Sequence, residues 1–290
     1  MLIEWQVRSA VFSNNTISYC RGDLELATLQ ESWSKLMLHW AAQNGFPYQA
    51  VADNNLEFDL YFWPDKRNML EQHLSARVAS ETPLAVEDMG LVVAAEKGLP
   101  ALEWLTFNET LSTEQRCTSL PAVASYYSDQ VDSIVQYHEN HPVIQSEWIE
   151  PRNSTEGASI SLNLSFQQIG QLSNRLRNGL DEQGQFIPIL SEGSRSNLGK
   201  AIYEASYASI IQHLRLTLER LDVTVNSQGL LAMQIDHMAQ LAARLTDLAE
   251  VDPNLMLEIH TSLIDAEQLI EGPLAQDAGV LIGFNNYDGD

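Results

Sequence analysis

The chain has 290 residues and a formal net charge of −23 at pH 7, and the acidity is spread along it: residues 1–156 carry 22 acids against 9 bases, residues 157–290 carry 17 against 7. No basic stripe exists to neutralise phosphates, which excludes nucleic acid as a partner, and the same charge excludes attraction to an anionic membrane surface. No apolar run is long enough to span a bilayer, and the acidic surface permits a cation or a cationic partner without demanding one.

The first residues, LIEWQVRSAVF, already read as the middle of an amphipathic helix, with no secretion signal before them. The expectation is either a cytoplasmic protein or a chain trimmed to its mature part. Leu26, Leu29, Trp33, Leu36 and Trp40 step by three and four and predict the next helix, with Asp23 as its cap. Asn44-Gly45-Phe46-Pro47 breaks the chain, and Trp63-Pro64-Asp65 starts a further helix with Pro64 in its first turn. Gly98 and Pro100 open a short helix, GLPALEWLTF, and Ser112 with Gln115 fits a capping box for a long helix ending near His141-Pro142. Leu120, Ala124, Tyr127, Val131, Ile134 and His138 form the buried stripe of that helix. The polar stretch Glu150–Ser159 reads as a linker, and helices follow near 160–182, 195–222, 228–250 and 254–271, with a loop over Gly184–Arg195. Strand-like alternation is missing. The fold class is therefore all-α, two helical bundles of about four helices each, over residues 1–152 and 153–290.

Few residues in this pattern carry chemistry. There is no HExxH, G-x-S-x-G, Walker loop or CxxC pair. His138 and His141 lie three apart at a helix end, where they suit the helix dipole better than a metal. The other histidines are scattered and the six tryptophans are read as core. Cys20 and Cys117 fit either one disulfide or two buried thiols. Glu103 stands out as a carboxylate among Leu99, Leu102, Leu105 and Phe107, where it needs an arginine, a metal or a proton. Arg67 and Arg195 are the candidate partners. The terminus Gly283–Asp290 carries turn formers with Phe284 and Tyr287 as anchors, and its acids are too few to make a cation site alone.

Taken in order, these segments resemble the imelysin-like family, also described as insulin-cleaving membrane protease or iron-regulated protein A-like. Cys20 with the Leu26–Trp40 helix resembles the family's opening hairpin, and Phe62–Arg67 its F-W-P-D region. GLPALEWLTF corresponds to its G-x-H-x-x-E segment followed by Y-L-L-F. Ser191–Ser196 with Leu198 is similar to its E-x-x-R-S segment, and GFNNYDGD to its L-G-F-N…D-G-D ending. The resemblance implies two helical bundle-like domains, export to the periplasm or cell envelope with a signal segment absent from this chain, often as a lipoprotein, and an association with bacterial iron uptake. It also implies a Cys20–Cys117 disulfide. One departure matters: Pro100 stands where the motif has histidine, so a His-plus-Glu metal pair cannot form there.

These readings lead to an expected non-catalytic protein that binds iron or another metal, haem, or an iron-uptake partner, with its site where the domains meet. The expected ligand-binding residues are Glu103, Arg67, Asp65, Glu192, Arg195, Ser196 and Asn285. Glu103, Asp288 and Asp290 are the candidate metal ligands, because carboxylates suit a hard cation. Iron is the expected metal ahead of zinc, and any membrane link runs through a lost lipid anchor. The alternatives are a metallopeptidase with Glu103 as base or ligand, and a scaffold in which Glu103 only pairs with arginine.

Overall fold

Apolar side chains spaced by three and four residues become a series of helices in the computed structural model, which describes residues 2–43, 48–80, 82–141, 155–179, 192–248 and 252–282. No strand occurs among the described residues, in keeping with the all-α expectation. In chain order the helices are α1 Leu2–Cys20, α2 Leu26–Gln43, α3 Gln49–Asp53, α4 Glu57–Leu60, α5 Met69–Ala79, α6 Gly98–Phe107, α7 Thr113–Cys117, α8 Leu120–Asn140, α9 Thr155–Asn178, α10 Gly199–Arg220, α11 Val225–Asp247, α12 Pro253–Leu269 and α13 Ala275–Ala278. The chain sorts into two compact units. The first comprises Met1–Ala41, Tyr48–Asn140 and Pro188–Ile202; the second comprises Ala42–Pro47, His141–Ile187 and Tyr203–Asp290.

In the first unit α1 lies along α8. The α1 stripe Trp5, Phe12 and Tyr19 is buried, as is the whole predicted α8 stripe from Leu120 to His138. Trp5 donates its indole N–H to the Tyr127 hydroxyl at 3.0 Å and packs on Trp40 with ring centroids 5.2 Å apart, so the large Trp5 ring is buried with its own donor satisfied. A disulfide joins Cys20, at the end of α1, to Cys117 in α7, with Cα atoms 5.7 Å apart. His138 is buried with its ring against Tyr48 and Tyr137, and α8 ends at Asn140, leaving His141 outside the helix.

Several predicted helix starts move, each for a local reason. Helix α2 begins at Leu26, three residues past Asp23, because Arg21–Asp23 fold back onto the carbonyls of α1's last turn. The capping box is real, since the Ser112 hydroxyl accepts from the Gln115 N–H and the Gln115 side chain accepts from the Ser112 N–H, but it caps the short α7. A box marks a first turn and carries no information on how far the helix runs. Trp63-Pro64 does not open a helix. Its peptide bond is cis, α5 begins only at Met69, and the Asp65 carboxylate caps it through the N–H groups of Met69 and Leu70, both at 2.8 Å. Helix α9 begins at Thr155, inside the predicted linker. Helix α10 begins at Gly199, because Gly193 (φ +66°) and Asn197 (φ +57°) hold residues 192–197 in left-handed turns.

The second unit is an aliphatic core. Helix α12 packs on α9 and α11. Leu231, Ile235, Met238, Leu241 and Leu245 of α11 join Met256, Ile259 and Leu263 of α12 in one buried cluster. Thr224 caps α11 and Asp252 caps α12, where Pro253 takes a position that needs no N–H donor. Past Leu269 the helix widens into a π turn, Ile270–Leu274, because Pro273 has no N–H for the α-helical ladder.

Candidate functional site

The short helix α6 is buried over almost its whole surface, from Gly98 through Thr106, and the first unit fixes it at both ends and along its side. At its start Gly98 adopts φ +71°, and a Cβ there would collide with the Leu60 carbonyl of α4, so only glycine permits this approach. Beside it the buried Lys97 ammonium pairs with Asp59 at 2.9 Å, and the Tyr126 hydroxyl donates to the same carboxylate at 2.6 Å. At the far end the buried Arg116 guanidinium donates to the carbonyls of Leu105 (2.8 Å), Thr106 (3.3 Å) and Asn108 (2.8 Å). It thereby satisfies the end of α6 with a full positive charge, which suits the negative pole of a helix. On the flank, Trp104 donates its indole N–H to Glu71 at 2.5 Å.

Glu103 sits at the centre of this clamped helix, 6 % exposed. Its Oε1 accepts from the Ser196 N–H at 2.9 Å and from the Ser196 hydroxyl at 2.7 Å. Burial pushes the Glu103 carboxyl above its ordinary value, while the Ser196 donors, the Arg195 charge and the Arg195 N–H pull it back. The glutamate latches the turn formed by residues 192–197 onto α6. That turn depends on Gly193, where a Cβ would press on Ile202 and on the backbone at Leu198 and Gly199.

The latched turn closes one side of a small cleft. Helix α2 supplies Trp33 and Met37, and the extended Tyr61–Asp65 stretch supplies Tyr61, Phe62 and Trp63. Helix α6 supplies Leu99, Pro100 and Glu103, and the turn supplies Glu192 to Arg195. Glu192 is buried, and its Oε1 accepts from the Tyr61 hydroxyl at 2.5 Å. Arg195 pairs with Glu71 at 3.4 Å.

Of the residues expected in the site, Glu103, Asp65, Glu192 and Arg195 line this cleft, and Ser196 holds Glu103. All five fall within the first unit, so the site comes together inside one unit, whereas a meeting of two bundles was expected. Asp65 enters with both oxygens already committed to the α5 cap. Arg67 is exposed and does not line the cleft: it lies in the turn ahead of α5, and Arg195, with Ser196, takes the partner role. Asn285, Asp288 and Asp290 lie outside the described residues. Sequence reasoning missed Arg116, Glu71 and Tyr61, which reach the site through backbone carbonyls, an indole and a carboxylate remote in sequence. It read Trp33 as core alone.

The fit of a metal depends on these donors. Pro100 offers no ligand atom, Glu103 commits Oε1 to Ser196, and no group of three His, Cys, Asp or Glu converges among the described residues. The described residues do not assemble the three protein ligands of a catalytic zinc site.

Fold and site together define an all-α protein with an aromatic, acid-floored cleft inside one helical unit. The sequence matches the imelysin family over residues 7–272, and the protein belongs to that family. In structure it is similar to an imelysin-like protein from Psychrobacter arcticum 273-4, with a TM-score of 0.78, 15 % identity, and coverage of 98 % of this chain and 92 % of that one. No curated protein matches the chain.

Proposed function

We propose that this protein is a non-catalytic binding member of the imelysin family, working in the cell envelope beside an iron-uptake system, with the Trp33–Glu103–Arg195 cleft as its ligand site. The observation that carries the reading is the Glu103 latch. The one acid of the family's motif helix is spent on organising the wall of a cleft, and the neighbouring motif position is Pro100. A residue so used prepares a binding surface and has no free partner for hydrolytic work. The Cys20–Cys117 bond supports an oxidising compartment.

The test is metal analysis of the purified protein together with thermal-shift titrations of iron, zinc, calcium and haem on the wild type and on Glu103→Ala. The expected result is a ligand-dependent rise in Tm that the variant loses. No shift with any of these ligands, or a shift unchanged in the variant, removes the cleft from the binding reading. Cleavage of an unstructured substrate that is abolished by a chelator and by Glu103→Gln would replace it with the metallopeptidase.

A further inference from the structure

We infer that α1 carries a self-association surface, and that its occupant is a second copy of this chain whose own α1 lies alongside and runs in the same direction. The buried face of α1 is Trp5, Ser9, Phe12, Thr16 and Tyr19. On the opposite face Ile3, Val7, Val11 and Ile17 are 54, 50, 48 and 38 % exposed, and a helix cannot turn both faces to one core. Ile3, Val7, Ala10, Asn14 and Ile17 step by four, three, four and three. That is the seam spacing of a coiled coil, with Val7 and Asn14 at its a positions and Ile3, Ala10 and Ile17 at its d positions. At 1.5 Å per residue the stripe runs about 21 Å. None of these residues lines the cleft.

Charge selects the occupant. The chain carries a net −23, yet the 19 residues of α1 hold one acid and one base, Glu4 and Arg8, paired with each other at 2.8 Å. The positions beside the stripe, Gln6, Val11 and Ser13, are uncharged. A cationic partner would be drawn to the acidic surfaces elsewhere. Two copies of the chain can meet on this neutral stripe without setting acid against acid, and a two-fold pairing takes the same patch from both. Asn14 fixes the direction. It is exposed in the middle of an apolar row, and its amide needs a polar partner once water is excluded. With the two helices running the same way, each Asn14 meets the second copy's Asn14, and the two amides satisfy one another. With the helices opposed, an a position faces a d position, and Asn14 would face an apolar side chain.

The test is the mass of the full chain in solution, by light scattering and sedimentation over a concentration series. A reversible dimer is expected. Rising salt tightens it, because salt screens the repulsion between two chains of net charge −23 and leaves apolar contact in place. Val7→Glu sets two acids against each other at the seam and weakens the dimer by about tenfold or more. Val225→Glu, at an apolar residue 86 % exposed on α11, leaves it unchanged. Asn14→Cys, oxidised with the Cys20–Cys117 bond intact, gives a covalent dimer on a non-reducing gel. The inference is overturned if the chain stays monomeric up to about 0.5 mM, if the dimer weakens with salt, or if Val7→Glu weakens it no more than Val225→Glu. It is also overturned if Asn14→Cys gives no covalent dimer. Circular dichroism checks that each variant keeps its helices, and a Val7→Glu chain that fails to fold leaves the Asn14→Cys result to decide.

Discussion

The two units bury different things. Among the described residues of the second, the buried polar side chains are Ser, Thr and Gln with a single cation, Arg175, around an aliphatic cluster of α9, α11 and α12. In the first, Glu96, Lys97, Glu103, Arg116 and Glu192 are all buried. An aliphatic core asks for volume and tolerates any neighbour of the right shape. A buried charge asks for a particular partner at a particular angle, and it costs stability when that partner is removed. The first unit has a specified interior, and the cleft lies where the specification is densest.

The largest effect expected from this contrast belongs to the disulfide, which the second unit has no counterpart for. Cys20→Ser with Cys117→Ser opens a loop spanning 97 residues, and the chain-entropy argument puts the loss at about 4–5 kcal/mol. Denaturant unfolding with and without reductant measures it, and a loss near zero would show that the first unit does not need the link.

A pair of conservative substitutions sharpens the contrast at intermediate size. Arg116→Lys keeps the charge but loses the fork that serves three carbonyls, at a cost of roughly 2–3 kcal/mol. Ile259→Leu in the α12 core keeps the volume and costs under about 1.5 kcal/mol. Equal costs by chemical denaturation would break the distinction between a specified and a merely filled interior.

The smallest effect is a slope. Burial raises the Glu103 carboxyl in the folded state above its ordinary 4.5. The folded protein therefore holds that proton more readily than the unfolded chain, and this group's contribution to stability falls as pH rises from 4.5 through the folded value. Glu103→Gln removes that dependence. Tm of the wild type relative to the Gln variant is expected to decline as pH increases over this window, and a flat difference would mean the carboxylate is better compensated than its surroundings imply.

Much of this architecture is legible in the chain because local signals carry it. The stripes of α2 and α8 follow from the three-and-four spacing, and Glu103 declares itself by sitting among leucines. The rest depends on partners that local patterns cannot name. Arg116 stands in an ordinary polar string, Gln115-Arg116-Cys117-Thr118, and its acceptors are carbonyls, which every residue possesses. The choice between Arg67 and Arg195 is open in the sequence because both follow plausible loop signals. What decides it is the fold-back at Gly193 and Asn197, which brings Ser196 to Glu103 across 93 positions. The start of α10 is misplaced for the same reason: Asn197 gives little warning of a left-handed conformation that glycine would announce.

The latched turn also bears on how the gene can be cut and how the polypeptide matures. A fragment ending at Asn140 would contain the acid, the aromatic residues and the disulfide partners, yet none of the wall that Ser196 fastens. The ribosome must deliver the Pro188–Ile202 segment before the cavity can be finished. An expression plasmid meant to isolate the amino-terminal half has to carry that later stretch, grafted or intact, to yield a cleft with all its walls.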